Sequence, residues 1–357
     1  MIRVLVAEDS ATARALLVSL LSAEPDITVV GEARTGVEAV EMAEALLPDI
    51  ITMDVQMPEL DGIEATRQIM TRSPRPILVV SSAAESDIEL SLEATRSGAL
   101  MVIAKPKGVE SAAFNSDRRQ LVSMVRALAQ VKVVRRHGST ATPPSRFGGA
   151  TPAAFPSSLA AGRRSTQAFE LLAIAASTGG PAALKIILSK LPATFPIPIL
   201  VVQHIARGFS GGLAHWLSSE SPIGVKLADL GEEARAGMAY LAPDDRHIGI
   251  RRGVSGGLRI QLDNAAPIGT FRPSATYLFR SCAEQVGRGL LSVILTGMGD
   301  DGVDGLRTVR QKGGHVIAQD EASSVIYGMP REAQHAGVVD QIVSLDDLPR
   351  RLRELTA

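Results

Sequence analysis

Leu171-Leu172-Ala173-Ile174-Ala175-Ala176-Ser177-Thr178-Gly179-Gly180-Pro181 decides how the C-terminal half of this chain is built. An unbroken apolar run of strand length ends abruptly in Ser-Thr-Gly-Gly, and a helical pattern, Pro181–Leu191, follows at once. A strand apolar on both faces belongs inside a parallel sheet. A sharp strand-to-helix turn lifts its residue out of the sheet, so the Ser177 hydroxyl stands free beside unpaired helix-start N–H groups. That is a setting for a nucleophile. It is equally a setting for a phosphate-binding turn, although no Lys-Ser or Lys-Thr pair follows to make a P-loop.

Working outward, the same βα alternation continues. Strand-like runs cover Pro198–Gln203, Ala239–Ala242, His247–Arg251 and Leu291–Thr296. Helical patterns cover Phe209–Ser219, Ser274–Val286 and Val303–Lys312. Several short β runs between 225 and 262 predict an antiparallel addition to a mainly parallel sheet. Upstream, residues 1–105 alternate Ile2–Ala7, Ile27–Gly31, Asp49–Met53, Pro76–Ser81 and Leu100–Ala104 with Ala11–Ser22, Gly36–Leu47, Gly62–Ser73 and Ser86–Ser97. A fifth helix is expected from about Asn115 to Val134. Arg135–Ala168 then loses hydrophobic period and fills with Pro, Gly, Ser and paired Arg, which reads as a flexible linker. The expectation is two α/β domains: 1–125, a connecting stretch 126–168, and 169–357.

Bulk properties agree. The 357 residues are 45% hydrophobic and 21% charged, with a net charge of −1. Two domains are the prior at about 150 residues each. Near-neutral charge argues against a nucleic-acid or membrane-surface role. One cysteine, Cys282, allows no internal disulfide and fits a reducing compartment. Acidic residues arrive at Glu8 and Asp9, too early for a signal peptide, and no apolar run reaches the ~18 residues of a membrane span. The expected setting is the cytoplasm.

Two constellations carry chemistry. In the first domain Glu8 and Asp9 follow one strand, Asp54 the run Ile50-Ile51-Thr52-Met53, Ser81 another, and Lys105 the last. Parallel strands bring these ends to one edge. Clustered carboxylates there favour Mg²⁺, and a carboxylate beside a metal and a lysine can accept a phosphoryl group. In the second, Ser177, His204 and Asp301 each follow a strand-like run. A hydroxyl, a base and a carboxylate that fixes the imidazole make a hydrolytic triad. Their order, Ser-His-Asp, differs from the Ser-Asp-His of α/β-hydrolases. His204 competes with His215, His247, His315 and His335, and Asp300-Asp301-Gly302-Val303-Asp304 lacks the spacing of an EF-hand.

Residues 1 to about 125, through Asp54-Val55-Gln56-Met57-Pro58-Glu59-Leu60-Asp61-Gly62 and Lys105-Pro106, resemble a two-component receiver domain, a flavodoxin-like fold. The resemblance implies phosphorylation at Asp54, Mg²⁺ on Asp9, Asp54 and the Gln56 carbonyl, with Glu8 acting through water, and phosphoryl contacts from Ser81 and Lys105. It also marks Val102 as standing where receivers usually place an aromatic switch residue. Residues 169–355 resemble the chemotaxis protein-glutamate methylesterases, through Ala176-Ser177-Thr178-Gly179-Gly180, Gln203-His204, Leu295-Thr296-Gly297-Met298-Gly299-Asp300-Asp301-Gly302 and Gly328-Met329-Pro330-Arg331-Glu332-Ala333. This implies a phosphorylation-regulated serine hydrolase with no cofactor of its own. Ser177 is then nucleophile, His204 base and Asp301 orienting acid, with Thr178 and Met298 near the oxyanion. Chemoreceptor helices would be the substrate, for demethylation of glutamate esters and deamidation of glutamines, and a chemotaxis histidine kinase the phosphodonor. Departures lie at Ala175, at Ile205-Ala206-Arg207-Gly208-Phe209 and at Pro273-Ser274-Ala275-Thr276. The residues themselves leave two other readings open: a receiver fused to a non-catalytic interaction module, or an esterase for a different signalling protein.

Overall fold

The computed structural model describes residues 1–82, 90, 93–108, 111, 114–131, 133, 168–254 and 256–357. The expected linker up to residue 167, and half of the expected helix at Ser86–Ser97, lie outside them. The N-terminal strands β1 (Ile2–Ala7), β2 (Ile27–Ala33), β3 (Ile50–Met53), β4 (Ile77–Ser81) and β5 (Met101–Ala104) form one parallel sheet in the order β2-β1-β3-β4-β5. Helices α1 (Ala11–Ser22), α2 (Gly36–Leu46), α3 (Gly62–Arg72) and α4 (Phe114–Leu128) connect and cover it. β3 is buried along its whole length, as a run without polar alternation requires. Asp61 starts α3 by accepting the N–H groups of Ile63 and Glu64, so the chain leaves the Asp54 loop in a fixed direction. α4 ends at Leu128, short of Val134, where the chain turns and Val131 N–H bonds the Leu128 carbonyl.

The C-terminal sheet has seven strands: β6 (Leu171–Ala176), β7 (Ile199–Gln203), β8 (Gly224–Leu227), β9 (Met238–Leu241), and, beyond the hairpin, β12 (Leu290–Ile294), β13 (His315–Gln319) and β14 (Gln341–Val343). Their order is β14-β13-β12-β6-β7-β9-β8, and every pairing is parallel. The expected antiparallel addition is therefore smaller than 225–262. β8 and β9 join the main sheet in parallel, while β10 (His247–Arg252) and β11 (Leu258–Asp263) pair antiparallel as a separate two-stranded sheet.

Helices α5 (Gly180–Ser189), α6 (Ser210–Ser219), α7 (Ala275–Val286), α8 (Val303–Gln311), α9 (Met329–His335) and α10 (Leu348–Thr356) flank the sheet. Side chains alternate across β6. Leu172, Ile174 and Ala176 pack with α5 and α6, while Leu171, Ala173 and Ala175 pack with α7 and α8. The chain leaves β6 toward β7 on one side, and β12 returns to the other side. That reversal opens a crevice at the carboxyl ends of these strands, where α/β sheets bind their ligands. Among the described residues no helix is long and apolar enough to cross a membrane.

Candidate active site

Ser177 is the first residue beyond β6, and its N–H bonds the Thr296 carbonyl on the neighbouring strand end. The turn closes when Gly180 N–H reaches the Ser177 carbonyl at 2.8 Å. Gly179 has φ of +78°, a conformation glycine adopts without the Cβ clash. A Cβ at Gly180 would lie 2.0 Å from Gln203 Oε1, so this glycine is there for close approach. On the next strand His204 N–H bonds the Ala176 carbonyl at 2.9 Å. The two strand ends thus hold Ser177 and His204 side by side, and both are buried.

His204 Nε2 lies 2.9 Å from Asp301 Oδ2. Its other ring nitrogen, Nδ1, is buried and has no hydrogen-bond partner among the described residues. Asp301 also sits at the start of α7. Its Oδ1 accepts from Ser274 Oγ at 2.8 Å and Thr276 N–H at 3.1 Å, and its Oδ2 accepts Ala275 N–H at 2.7 Å. Burial works to raise the Asp301 pKa, but the His204 ring, the Ser274 hydroxyl and the Ala275 N–H together hold it down at about 2. Ser274 is positioned in turn by His247, whose Nδ1 accepts its N–H at 3.2 Å and whose Nε2 faces the Ala266 carbonyl. Since Nδ1 must accept, His247 Nε2 carries the proton.

Thr178 and Met298 flank Ser177. Among the described residues neither N–H has a backbone acceptor. Asp300 is exposed and Asp301 buried, which separates the two adjacent acids by environment.

At the receiver edge, ligand oxygens of Glu8, Asp9 and Asp54 lie within 4.8 Å of one another. Lys105 Nζ reaches Asp54 Oδ2 at 2.8 Å and Glu8 at 2.9 Å. Burial pushes the Glu8 and Asp54 carboxyls above their usual range against the pull of Lys105. Burial works against the Lys105 charge too, yet Asp54 and Glu8 hold its pKa above the ordinary lysine value. Ser81 is fully buried and its hydroxyl has no partner among the described residues. Val102 is buried within the apolar cluster of the sheet. Gln56 is exposed on the loop two residues past Asp54. Three oxygen donors and an orphaned hydroxyl around one point suit a hard divalent cation with an oxyanion beside it.

Two features were not legible in the sequence. Phe271 stacks on His204, ring centroids 4.1 Å apart and planes at 12°. Helix α4 of the first domain also reaches the second. Ser123 Oγ is 4.0 Å from Met298 Sδ, and Thr178 Oγ1 is 4.0 Å from Met124 Sδ. A cleft of about 1750 Å³ opens beside these contacts, between Val122, Ser123 and Arg126 on one wall and Met298, Asp300 and Tyr327 on the other.

Residues 172–352 match the CheB methylesterase family, and residues 4–112 match the response regulator receiver domain. The chain belongs to the CheB methylesterase family. It is 52% identical to protein-glutamate methylesterase/protein-glutamine glutaminase 4 of Myxococcus xanthus, over 98% of this chain and 96% of that protein. It is 47% identical to protein-glutamate methylesterase/protein-glutamine glutaminase 3 of Anaeromyxobacter dehalogenans, over 99% and 98%. The crystal structure of the Thermotoga maritima CheB methylesterase catalytic domain superposes with a TM-score of 0.51 at 39% identity, covering 53% of this chain and 99% of that one. The receiver-plus-CheB architecture read from the motifs is therefore the architecture of the chain.

Proposed function

We propose that this chain hydrolyses glutamyl γ-methyl esters, and glutamine side-chain amides, on the cytoplasmic helices of chemoreceptors, under control of phosphorylation at Asp54. The observation that carries the reading is the buried pair of His204 and Asp301 beside Ser177. Asp301 occupies Nε2, which leaves Nδ1 as the ring nitrogen able to take the Ser177 proton.

Ser177 Oγ attacks the ester carbonyl while His204 takes its proton. The N–H groups of Thr178 and Met298 receive the developing oxyanion, worth about 3 kcal/mol per donor. The imidazolium returns the proton to the departing methoxide, so methanol leaves and an acyl-serine remains. Water, deprotonated by His204, then releases the glutamate. Asp301 stays ionised throughout and stabilises the imidazolium.

The receiver supplies the switch. Asp54 is the phosphoryl acceptor, and Ser81 and Lys105 contact the transferred group. Glu8, Asp9, Asp54 and the Gln56 carbonyl would hold Mg²⁺, which when bound neutralises charge on the incoming phosphoryl oxygens. A chemotaxis histidine kinase is the donor, in the cytoplasm. The contacts of Ser123 with Met298 and of Met124 with Thr178 support a resting state in which α4 covers the oxyanion side of the site. We take residues 1–125 as the receiver, 126–168 as the connection and 169–357 as the catalytic domain.

Methyl-labelled receptor membranes test the proposal. Full-length protein is expected to release methanol faster with a phosphodonor, and Ser177→Ala to release none while unfolding at the wild-type temperature. Methanol release by Ser177→Ala, or a wild-type protein that leaves Ser177 unlabelled by an organophosphonate, would refute it.

A further inference from the structure

Phe271 lies on a strap that is fixed at both ends. Ile268 and Phe271 exchange backbone hydrogen bonds of 3.2 and 3.1 Å, closing a tight turn with Gly269 at φ of +61°. The next residue, Arg272, places Nε and Nη2 on Asp245 Oδ1 at 2.8 and 2.6 Å, and Nη1 on the carbonyls of Asn264 and Ala265. Two residues further on, Ser274 caps α7 and donates to Asp301. Four consecutive residues therefore carry the ring against His204 and the hydroxyl on its carboxylate partner.

The stacking geometry is informative. The pair is stacked, near-parallel at 4.1 Å and 12°, an arrangement neutral rings also adopt when offset. It puts the imidazole against the negative face of the phenyl ring, which holds a cation more strongly than a neutral ring. In the proposed reaction His204 carries a positive charge while it holds the Ser177 proton, so the attraction is stronger there than with the neutral ring that accepts the proton. Interactions of that kind raise kcat rather than lower KM. Packed on one face of the imidazole, the phenyl ring also restrains rotation of the imidazole plane.

We propose that Phe271 is a positioning residue for His204, holding the imidazole plane and stabilising its protonated form during acyl transfer. This rests on the reading of His204 as the general base.

The test uses full-length protein activated by a phosphodonor, with Phe271→Leu, Phe271→Met and Phe271→Tyr measured against wild type. Without the ring, kcat is expected to fall about fivefold with KM within twofold, and organophosphonate labelling of Ser177 to slow in parallel. Phe271→Tyr should restore both. The ring protons of His204 should move downfield in the NMR spectrum of Phe271→Leu, because the shielding ring current is gone. If Phe271→Leu does not fold, Phe271→Met carries the same readouts. Unchanged kcat, a loss confined to KM, or equal losses in the Tyr and non-aromatic variants overturns the proposal. Wild-type protein that releases no methanol overturns the esterase reading instead.

Discussion

Gln203 holds Ser177 by a side-chain hydrogen bond, with Nε2 donating to the Ser177 carbonyl at 2.7 Å. The same nitrogen donates to the His204 carbonyl at 2.8 Å. Both protons of one amide thus tie the turn of the proposed nucleophile to the turn of the proposed base. Gln203→Leu would strand the buried His204 carbonyl, at a cost of about 1–3 kcal/mol, and would reduce the Ser177 carbonyl to its bond from Gly180 N–H. Activity is expected to fall at least tenfold, with a lower thermal midpoint. Gln203→Glu, which offers no donors, should do no better. Gly180→Ala attacks the same junction by pressing a Cβ on Gln203 Oε1, and should lose activity similarly. Wild-type methanol release by Gln203→Leu would show that the tie does not matter.

Asp301 has a depressed pKa of about 2 in the folded protein against 3.8 unfolded. Its contribution to stability is complete above about pH 4 and is lost as pH falls through 2. Asp301→Asn should erase that part of the acid-unfolding profile. It should also destabilise the domain at neutral pH. Ser274 Oγ, Ala275 N–H and Thr276 N–H all donate toward this side chain, so an Asn amide must point its NH₂ at a donor. Acid titration followed by circular dichroism checks both. Superimposable wild-type and Asn curves would contradict the capping role.

The sequence was most legible where strands end. Continuous apolar runs gave β1, β3, β4, β6 and β7 with small errors of boundary, because a parallel strand buried on both faces has no polar residue to blur it. The residues placed at those ends, Glu8, Asp54, Ser81, Lys105, Ser177 and His204, follow from the strands. Asp301 sits seven residues beyond β12, and its neighbours at the start of α7 come from a distant segment. Short or strongly charged elements carried too little pattern. β14 has three residues, and α10 begins Leu348-Pro349-Arg350-Arg351. The antiparallel addition is present but shorter than 225–262, because the direction of β8 and β9 depends on the crossover, which composition does not encode. Phe271 gave no signal, since only the folded strap brings position 271 over position 204.

At the receiver edge the raised carboxyls of Glu8 and Asp54 make a different prediction. Their unfolded values are near 4.5 and 3.8, and raised folded values favour the protonated forms. Stability from these groups is therefore present below about pH 4 and lost as pH rises past their folded values. A divalent cation opposes that loss by neutralising the carboxylates. At neutral pH the receiver's thermal midpoint should rise with added MgCl₂ and return on chelation. Asp9→Asn should weaken the response, and Asp54→Asn should abolish phosphodonor activation. A midpoint indifferent to MgCl₂ would count against the metal assignment.

The last prediction concerns how the receiver is held in place. Arg96 Nη2 lies 3.3 Å from Glu220 Oε1, and its guanidinium stands 5.4 Å from the centre of the Trp216 ring. Glu220 also takes Lys185 Nζ at 3.2 Å. Arg96 belongs to the receiver; the other three belong to α5 and the end of α6. The ion pair is partly exposed and worth at most about 1 kcal/mol, with a similar contribution from the aromatic face. Arg96→Glu replaces both attractions with repulsion from Glu220. Unphosphorylated methanol release should rise several-fold, toward the phosphorylated rate, and the emission of Trp216, the only tryptophan of the chain, should shift. Adding Glu220→Arg should restore inhibition only in part, because Lys185 then faces a second cation. If Arg96→Glu leaves the unphosphorylated rate unchanged, this contact is incidental and α4 over Met298 and Thr178 holds the resting state alone.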